Sequence, residues 1–579
     1  MHAENIDSNN FGLTDYAVFI ILLLISSGIG VYYAIKDTRA KKTARQFLTA
    51  ERSLHWFPVS ISLMASFQSS VTILGYPAEM YLRGTQFWIV IVSSTMAALA
   101  AAEIFLPVYY DLNLSSVNQY LKIRFNSEKV RLAATFTFLF ATVPYMGVVI
   151  YGPSLALSSV TPLSTAASIL LIGLVCTFYT SIGGLKSVLA TDILQVMMMY
   201  AGLLLVIFRG FYLVGGIDEA FRIANENGRI QFFNVGFDPY ATNNLWNCVF
   251  GMGLMWSANY CCTQTEVARY CNVNSKKKSK LALYVNLIGV ASMISCACLA
   301  GIAIYAFYSK CDPLERGVIT KTDQLMPYFV METLHQFPGA AGLFVCCVFS
   351  AALSTLSSGF NALAAVTWDD ILSKTRLSKL SELKIKTITK LTAISYGLMS
   401  IGMAFFVGLI GSVLKAAISL AGALMGPLLG TYLLGVICPF ANAVGVLTGL
   451  VIGEAFGLFV LCGSILYPKT TDQLPTTTDG CQFNVTSVYN HTLNIESPVA
   501  VEEMFLLKIF HLAFLLVPVS GFVISYIVGF VVSLATGGLD EVNQVNPLHL
   551  NPIAWHIWPK KCVPIATRSA VPSTDAAKQ

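Results

Sequence analysis

The chain has 579 residues, of which 55% are hydrophobic and only 12% are charged, with a net charge of +5 and a mean hydropathy of +0.66. A water-soluble domain usually carries about 25% charged residues, so this composition excludes a soluble globular protein. Because a membrane span needs roughly 20 mainly apolar residues, the length predicts many membrane helices rather than several soluble domains.

The first apolar run covers about residues 14–33 and is followed by six basic residues: Lys36, Arg39, Lys41, Lys42, Arg45 and Arg52. The ten residues before it contain Glu4 and Asp7 and no Lys or Arg. By the positive-inside rule, this asymmetry predicts an extracellular N-terminus over residues 1–13 and a cytoplasmic first loop. A cleaved signal peptide is the alternative, but a basic n-region and a small-residue cleavage site are both missing.

Apolar runs and charged loops alternate along the rest of the chain. Their number predicts about thirteen spans within residues 14–535 and hence an all-α polytopic protein of the plasma membrane. This order of spans places the later basic clusters in cytoplasmic loops and predicts that the tail at residues 536–579 is cytoplasmic too. It also predicts that residues 466–505 form an extracellular loop. This loop contains sequons at Asn484 and Asn490, which can be glycosylated only on that side.

Two of the fourteen cysteines, Cys311 and Cys481, fall in predicted extracellular loops, while most of the others lie in or beside apolar runs. Oxidation is expected outside the cell, so we predict that Cys311 and Cys481 form a disulfide. The remaining cysteines are expected to act as small packing residues.

Polar residues inside the spans indicate where function lies, because they are costly in hydrocarbon. The second apolar segment, residues 61–77, contains five hydroxyl side chains and Gln68, followed by Gly75 and Pro77. This pattern predicts a discontinuous helix whose free carbonyl groups can coordinate a cation. The alternative is a helix–helix interface rich in small residues.

Residues 350–358 place five further hydroxyl side chains in nine positions. Hydroxyl and carbonyl oxygens are ligands that suit sodium, although such side chains also bond back to their own helix. A third segment has a Gly183-Gly184 turn followed by Asp192, which either faces an ion path or simply caps its helix.

Part of the third segment resembles the downstream half of the sodium:solute symporter family signature, in the run Tyr179-Thr180-x-x-Gly183-Gly184-Leu185-x-Ser187. Pro162 and Thr165 depart from the upstream half. The similarity covers about residues 14–538 and is strongest to the branch of sodium-coupled monocarboxylate, multivitamin and iodide transporters. Three stretches resemble the monocarboxylate members most: residues 65–67, 323–328 and 426–430.

This resemblance implies a LeuT-type five-plus-five inverted repeat, with repeats at about residues 56–211 and 245–437 and broken second and seventh helices. It also implies that sodium is the co-transported ion. The common sodium site would use carbonyl groups and two hydroxyl side chains, contributed by Ala65, Gln68, Ala351, Ser354 and Thr355. A possible second sodium site would use Asp192, Ser357 and Ser358.

The resemblance further implies a mid-membrane solute cavity lined by Thr72, Tyr76, Tyr145, Trp256 and Lys415. Trp256 lies in residues 253–260, where a second broken helix is expected, and the alternative role for its side chain is packing or an interfacial anchor. Lys415 stands where relatives generally carry a neutral amide, and would supply a counter-charge to a carboxylate. Its alternative is a side chain that extends from a helix end to the lipid headgroups.

These observations predict a sodium-coupled symporter that imports small organic anions by alternating access: monocarboxylates such as lactate, pyruvate, short-chain fatty acids and nicotinate. A biotin and pantothenate transporter or an iodide transporter is the alternative within the family, and a solute sensor or an ion channel is the alternative of another class. We expect sodium, the solute and the lipid bilayer as partners. We expect no enzyme activity, no organic cofactor and no nucleic-acid partner.

Overall fold

The computed structural model describes residues 11–39, 52–182, 185–469, 472–481, 505–559 and 562–564. Within these ranges the regular structure is helical, and an isolated bridge between Leu54 and Val273 is the only β-type pairing. The first half of the bundle contains α1 (Leu13–Arg39), α2 (Trp56–Phe67), α3 (Val71–Arg83), α4 (Thr85–Leu112), α5 (Glu128–Val160), α6 (Thr165–Ile182) and α7 (Leu185–Val214).

The second half contains α8 (Gly253–Cys262), α9 (Gln264–Cys271), α10 (Lys276–Tyr308), α11 (Ala340–Val366), α12 (Glu382–Val407), α13 (Val413–Ile437), α14 (Ala443–Leu466) and α15 (Val517–Ala535). Shorter helices connect these elements, at Gln119–Phe125, Ile217–Glu226, Leu325–Leu334 and Phe505–Phe510.

Ten of the helices in the described ranges are long and apolar enough to cross a membrane, and the bent pair α2–α3 brings the number to eleven. The predicted thirteen spans are reached only when the shorter helix α6 and the interrupted α8–α9 segment are added. That count, like the predicted inverted-repeat boundaries and the orientation of the termini, stays a prediction.

The helix predicted to be discontinuous is broken in the structure. α2 ends at Phe67 because Gln68 adopts an extended conformation, with φ −88° and ψ 106°. The chain then continues into α3 through a π-helical turn, Val71–Gly75, and the two helices meet at an angle of 57°. The break leaves carbonyl groups of the last turn of α2 without helical donors.

A second interruption separates α8 from α9, where Thr263 is extended with φ −96° and ψ 139°. A π-helical turn, Asn247–Met252, precedes α8. Residues 253–260 around Trp256, where a break was predicted, are continuous helix, and the interruption follows at Thr263 instead.

Helix α11 lies at the centre of the bundle and is buried along almost its whole length. It packs against α1, α2, α5, α7 and α12, so its hydroxyl-rich face meets protein rather than lipid. This burial explains why the run of Ser and Thr side chains is tolerated at membrane depth.

Helices α14 and α15 pack closely through glycines. Gly445, Gly449 and Gly453 recur at four-residue spacing on α14 and meet Ser525 and Gly529 of α15. A Cβ atom on Gly445 would lie 2.6 Å from the carbonyl oxygen of Gly529, and one on Gly449 would overlap the carbonyl oxygen of Ser525. The two backbones are therefore in direct contact, as is common where small residues line membrane-helix interfaces.

Cys311 and Cys481 form a disulfide, with their Cα atoms 5.0 Å apart. The disulfide holds residues 472–481 across one end of the bundle, where the Leu474 amide donates to the carbonyl oxygen of Leu82 over 2.9 Å. We call this end the disulfide end. The predicted sequons at Asn484 and Asn490 and the Gly183-Gly184 turn lie outside the described residues.

Candidate ion and solute site

The break after α2 meets the middle of α11. The Thr355 hydroxyl donates to the carbonyl oxygen of Ser66 over 3.2 Å and to that of Ala351 over 3.1 Å. The structure therefore brings the end of α2, with Ala65 and Gln68, against the turn of α11 that carries Ala351, Ser354 and Thr355. Hydroxyl and carbonyl oxygens are concentrated there, as a site for a hard monovalent cation requires.

Asp192 of α7 is fully buried beside this contact. Its Oδ1 accepts a hydrogen bond from Ser354 over 2.7 Å, and its Oδ2 accepts one from Ser62 of α2. Both carboxylate oxygens are thus directed at α2 and α11 rather than at the N-terminus of their own helix. The carboxylate joins three helices at the level of the break.

The two serines predicted with Asp192 behave differently. Ser358 lies 2.9 Å from the hydroxyl of Ser66 and accepts a hydrogen bond from the Arg269 guanidinium. Ser357 instead donates to the carbonyl oxygen of Ser354 in its own helix, over 3.1 Å. The structure brings Ser358 into the polar cluster, whereas the Ser357 hydroxyl is engaged within α11.

Sequence reasoning missed the charged residues of α9 that complete this cluster. The Arg269 guanidinium lies 3.7 Å from Asp192 Oδ2 and 3.4 Å from Glu266 Oε1. The sequence feature that could have revealed them is an acidic and a basic residue three positions apart, in a segment that the composition places within the membrane. All three charged side chains are at most 5% exposed.

With both carboxyl groups ionised, this buried trio would carry a net negative charge, because two carboxylates face a single guanidinium. Glu266 Oε2 has no hydrogen-bond partner among the described residues. A buried charge is tolerated when it is paired, so a monovalent cation near Asp192 and Glu266 would bring the trio to neutrality.

A cavity of about 100 Å³ lies next to the break. Ser66 and Thr355 of the ion region line it. It is also lined by four of the residues predicted to contact the solute: Thr72, Tyr76, Tyr145 and Trp256. We call it the central cavity. Thr355 therefore belongs both to the oxygen-rich contact and to the cavity wall.

Phe67, an aromatic residue that the sequence did not single out for the solute site, forms part of one wall of the central cavity. Phe67 stacks on Tyr260 with ring centres 4.7 Å apart and meets Trp256 edge to face at 5.0 Å. The polar side chains of Ser69 and Asn259 also line the cavity. The resulting pocket is mainly apolar with a few hydroxyl and amide groups, as small-molecule sites generally are.

Lys415 is absent from the residues that line the central cavity. Leu414, Ala417, Ile418 and Ala421 form the cavity-facing side of α13, and a helix turns by about 100° per residue, so Lys415 points elsewhere. It lines a second cavity of about 250 Å³ at the disulfide end, which we call the outer cavity. The predicted counter-charge is therefore not directed at the central cavity.

The two cavities are separated by close packing. A Cβ atom on Gly75 would lie 3.1 Å from that of Leu414, and the Tyr76 ring packs edge to face on Phe87 at 5.0 Å. On its other side the central cavity extends past Thr263 and Glu266. These contacts of Gly75 and Tyr76 therefore lie between the central cavity and the outer cavity.

Comparison with known proteins adds a family match. The model of the sodium:solute symporter family matches residues 47–453. The sodium-coupled monocarboxylate transporter 1 of Xenopus laevis is 40% identical over 545 residues, covering 92% of this chain and 87% of that protein. The sodium-dependent multivitamin transporter of Oryctolagus cuniculus is 37% identical over 553 residues, covering 95% and 86%.

A solved structure of a Na⁺-coupled sialic acid symporter in a substrate-bound outward-open state has the same fold. It aligns with a TM-score of 0.73 over 91% of this chain and 98% of that chain, at 23% identity. This alignment confirms the predicted all-α symporter architecture of the LeuT type.

Proposed function

Because the chain belongs to the sodium:solute symporter family, we propose that this sodium-coupled symporter imports small monocarboxylates, such as lactate, pyruvate, short-chain fatty acids and nicotinate. The family consists of transporters rather than enzymes, and sodium is the co-transported ion. The observation that carries the choice of solute is the 40% identity to a sodium-coupled monocarboxylate transporter 1 over 92% of this chain. The central cavity, which adjoins the oxygen-rich contact of α2 and α11, is the proposed place for the solute.

The proposed sodium site uses the carbonyl groups of Ala65, Gln68 and Ala351 with the hydroxyl groups of Ser354 and Thr355. The contacts of Thr355 with Ser66 and Ala351 support it. A possible second site uses Asp192 and Ser358, supported by the unbalanced charge of the buried trio, while Ser357 is the least supported member. No organic cofactor and no nucleic-acid partner is part of the proposal.

Coupling follows from the charges around the central cavity. Among the described residues that line it, Glu266 is the only charged one, and none is a Lys, Arg or His. A carboxylate entering this cavity therefore lacks a protein counter-ion, and its negative charge would have to be balanced by sodium. Anion affinity would then depend on prior sodium binding, which is the differential affinity that coupling requires.

The membrane potential would drive the cycle. Moving one charge across the membrane is worth about 2.3 kcal/mol per 100 mV, so an inside-negative potential favours sodium entry from outside. Sodium bound at the break would hold α2 against α11, and solute binding would close the cavity at one end before it opens at the other. The packed contact of Gly75 with Leu414 is the closed form of one such barrier.

The test is uptake of labelled lactate, butyrate and biotin into cells expressing the chain, with sodium or choline outside. We expect sodium-dependent accumulation of lactate and butyrate above that of biotin. Biotin accumulation alone would favour the multivitamin alternative, and flux orders of magnitude above carrier turnover would indicate a channel. If the protein reaches the surface and no solute enters under either cation, the organic-anion proposal is wrong, and iodide and then sensing should be tested.

We also propose a plasma-membrane topology with residues 1–13 and 466–505 extracellular and residues 536–579 cytoplasmic. The expected result is that an N-glycosidase increases the gel mobility of the wild-type protein and has no effect on the Asn484→Gln/Asn490→Gln variant. The single-site variants should each show an intermediate shift, which serves as the internal control. A wild-type protein from mammalian cells that is insensitive to the enzyme would contradict this topology.

A further inference from the structure

The outer cavity at the disulfide end has an excess of positive charge. It is lined by residues from the end of α3, the start of α13 and the chain that follows α14. Among the described residues that line it are three cationic side chains, Arg83, Lys415 and Lys469, and the imidazole of His511, against a single carboxylate, that of Asp472. With a volume of about 250 Å³, it is larger than the central cavity.

Two of the three cations are already engaged. Arg83 forms an ion pair with Glu79 over 2.7 Å and donates from Nε to the carbonyl oxygen of Asp472 over 2.9 Å. Lys469 donates to the carbonyl oxygen of Tyr240 over 3.3 Å and lies 5.8 Å from the centre of its ring. Their side chains are fixed, and their charges still contribute to the potential in the cavity.

Lys415 differs, because its ammonium group has no hydrogen-bond or ion-pair partner in the part of the chain that the structure describes. Only its backbone amide is bonded, to the Ser412 hydroxyl over 3.2 Å. The side chain is half-buried in the cavity wall. A half-buried ammonium without an acceptor is a donor available to a ligand.

The acidic groups near Lys415 have other roles. Glu79 accepts from Arg83 and also from the Asn243 amide over 2.8 Å. Asp323 accepts from the backbone amide of Val413 over 2.8 Å and thereby caps α13. Neither acid is a counter-ion for Lys415.

We propose that the outer cavity is a second anion site, in which Lys415 binds the carboxylate of a solute before it reaches the central cavity. The ligand class, a small carboxylate, rests on the proposed function. The hydroxyl groups of Thr242 and Thr322 also line the cavity and offer further donors. Because Lys415 supplies the positive charge here, binding at this site does not need sodium, in contrast to the central cavity.

The outer cavity lies close enough to the central cavity for an anion to bind there first and then move inward. Tyr76 of the central cavity and Arg83 of the outer cavity are seven residues apart on α3, which corresponds to about 10 Å along a helix. Leu414 and Lys415 are neighbours on α13 and line one cavity each. Separating Gly75 from Leu414 would therefore connect the two cavities and release the anion inward.

The experiment measures binding of labelled butyrate to the purified full chain in lipid nanodiscs, with choline as the only cation. We expect saturable binding by the wild type, at least tenfold weaker binding by Lys415→Gln, and near wild-type affinity for Lys415→Arg. Lys310→Gln is the matched control, because Lys310 is an exposed lysine at the same end that does not line the cavity. Added salt should weaken the wild-type binding by screening.

The results of this binding experiment and of the uptake experiment distinguish a failure of the proposed outer site from a failure of the proposed transport function. Absence of binding in choline by the wild type, or equal affinity in a Lys415→Gln protein that is monodisperse and reaches the cell surface, overturns the outer site. Sodium-driven uptake by the same wild type would then leave the proposed function intact. Conversely, Lys415-dependent binding without sodium-driven uptake of any monocarboxylate would support the outer site and overturn the proposed function.

Discussion

Replacing Ser354 and Thr355 together by alanine is expected to lower the apparent affinity for sodium by roughly tenfold or more. A tenfold loss of affinity corresponds to about 1.4 kcal/mol of binding free energy. The double variant removes two proposed oxygen ligands. It also removes the hydrogen bond from Ser354 to Asp192 and those from Thr355 to Ser66 and Ala351. The measurement is initial uptake of labelled butyrate as a function of external sodium, at matched surface expression.

The matched control for this variant is Thr392→Ala/Ser395→Ala on α12. Both hydroxyl groups donate only to carbonyl oxygens of their own helix, over 2.9 Å and 2.8 Å, so their removal should leave the sodium dependence unchanged. A sodium activation curve that is the same in the Ser354/Thr355 variant and the wild type would show that the ion binds elsewhere.

The second large effect is expected for Asp370→Ala, at the end of the bundle opposite to the disulfide. Asp370 is fully buried, and its Oδ2 accepts from Ser116 and Thr135 over 2.9 Å and from Asn118 over 3.1 Å. Its Oδ1 lies 3.8 Å from Nε of the buried Arg131. Removing the carboxylate leaves the buried Ser116 hydroxyl without its acceptor and takes a buried counter-charge from Arg131, so we expect a loss of about 3–5 kcal/mol in the free energy of unfolding.

Thermal unfolding of the purified protein in detergent would reveal this loss as a lower midpoint temperature. Asp111→Ala is the control, since the Asp111 carboxylate is half-exposed and pairs with Lys276 over 2.8 Å. An exposed pair of this kind contributes about 0–1 kcal/mol. Equal midpoints for the two variants would argue against a structural role for the carboxylate of Asp370.

Composition and the cost of burying hydroxyl groups were sufficient to predict membrane helices and a discontinuous helix within residues 61–77, but not that the break follows Phe67. The hydroxyl side chains of residues 61–77 and 350–358 can occur at membrane depth only where they face other polar groups, and the structure places the two runs against each other. What the sequence could not predict is the set of partners contributed by distant helices. Arg269 and Asp192 are 77 positions apart, and no local pattern links them.

The position of Lys415 shows a second limit. Helix α13 is buried on nearly all sides, so the periodicity of its apolar residues does not indicate which face lines a cavity. Leu414 and Lys415 are adjacent in the sequence and yet belong to different cavities. Only the packing of α3 against α13 determines which of the two faces the central cavity.

The contacts between α14 and α15 give residues far from the ion and the solute control over the width of the central cavity. A Cβ atom on Gly426 of α13 would overlap the carbonyl oxygen of Pro518, so α13 rests directly on the backbone of α15. A bulkier residue at Gly449 would force α15 away from α14, and α13 would lose the support that positions Leu414 and Ile418. Damaging variants of this protein should therefore cluster on a helix pair that contributes no residue to the lining of the central cavity, and they would impair transport by distorting a wall of that cavity rather than by removing a ligand.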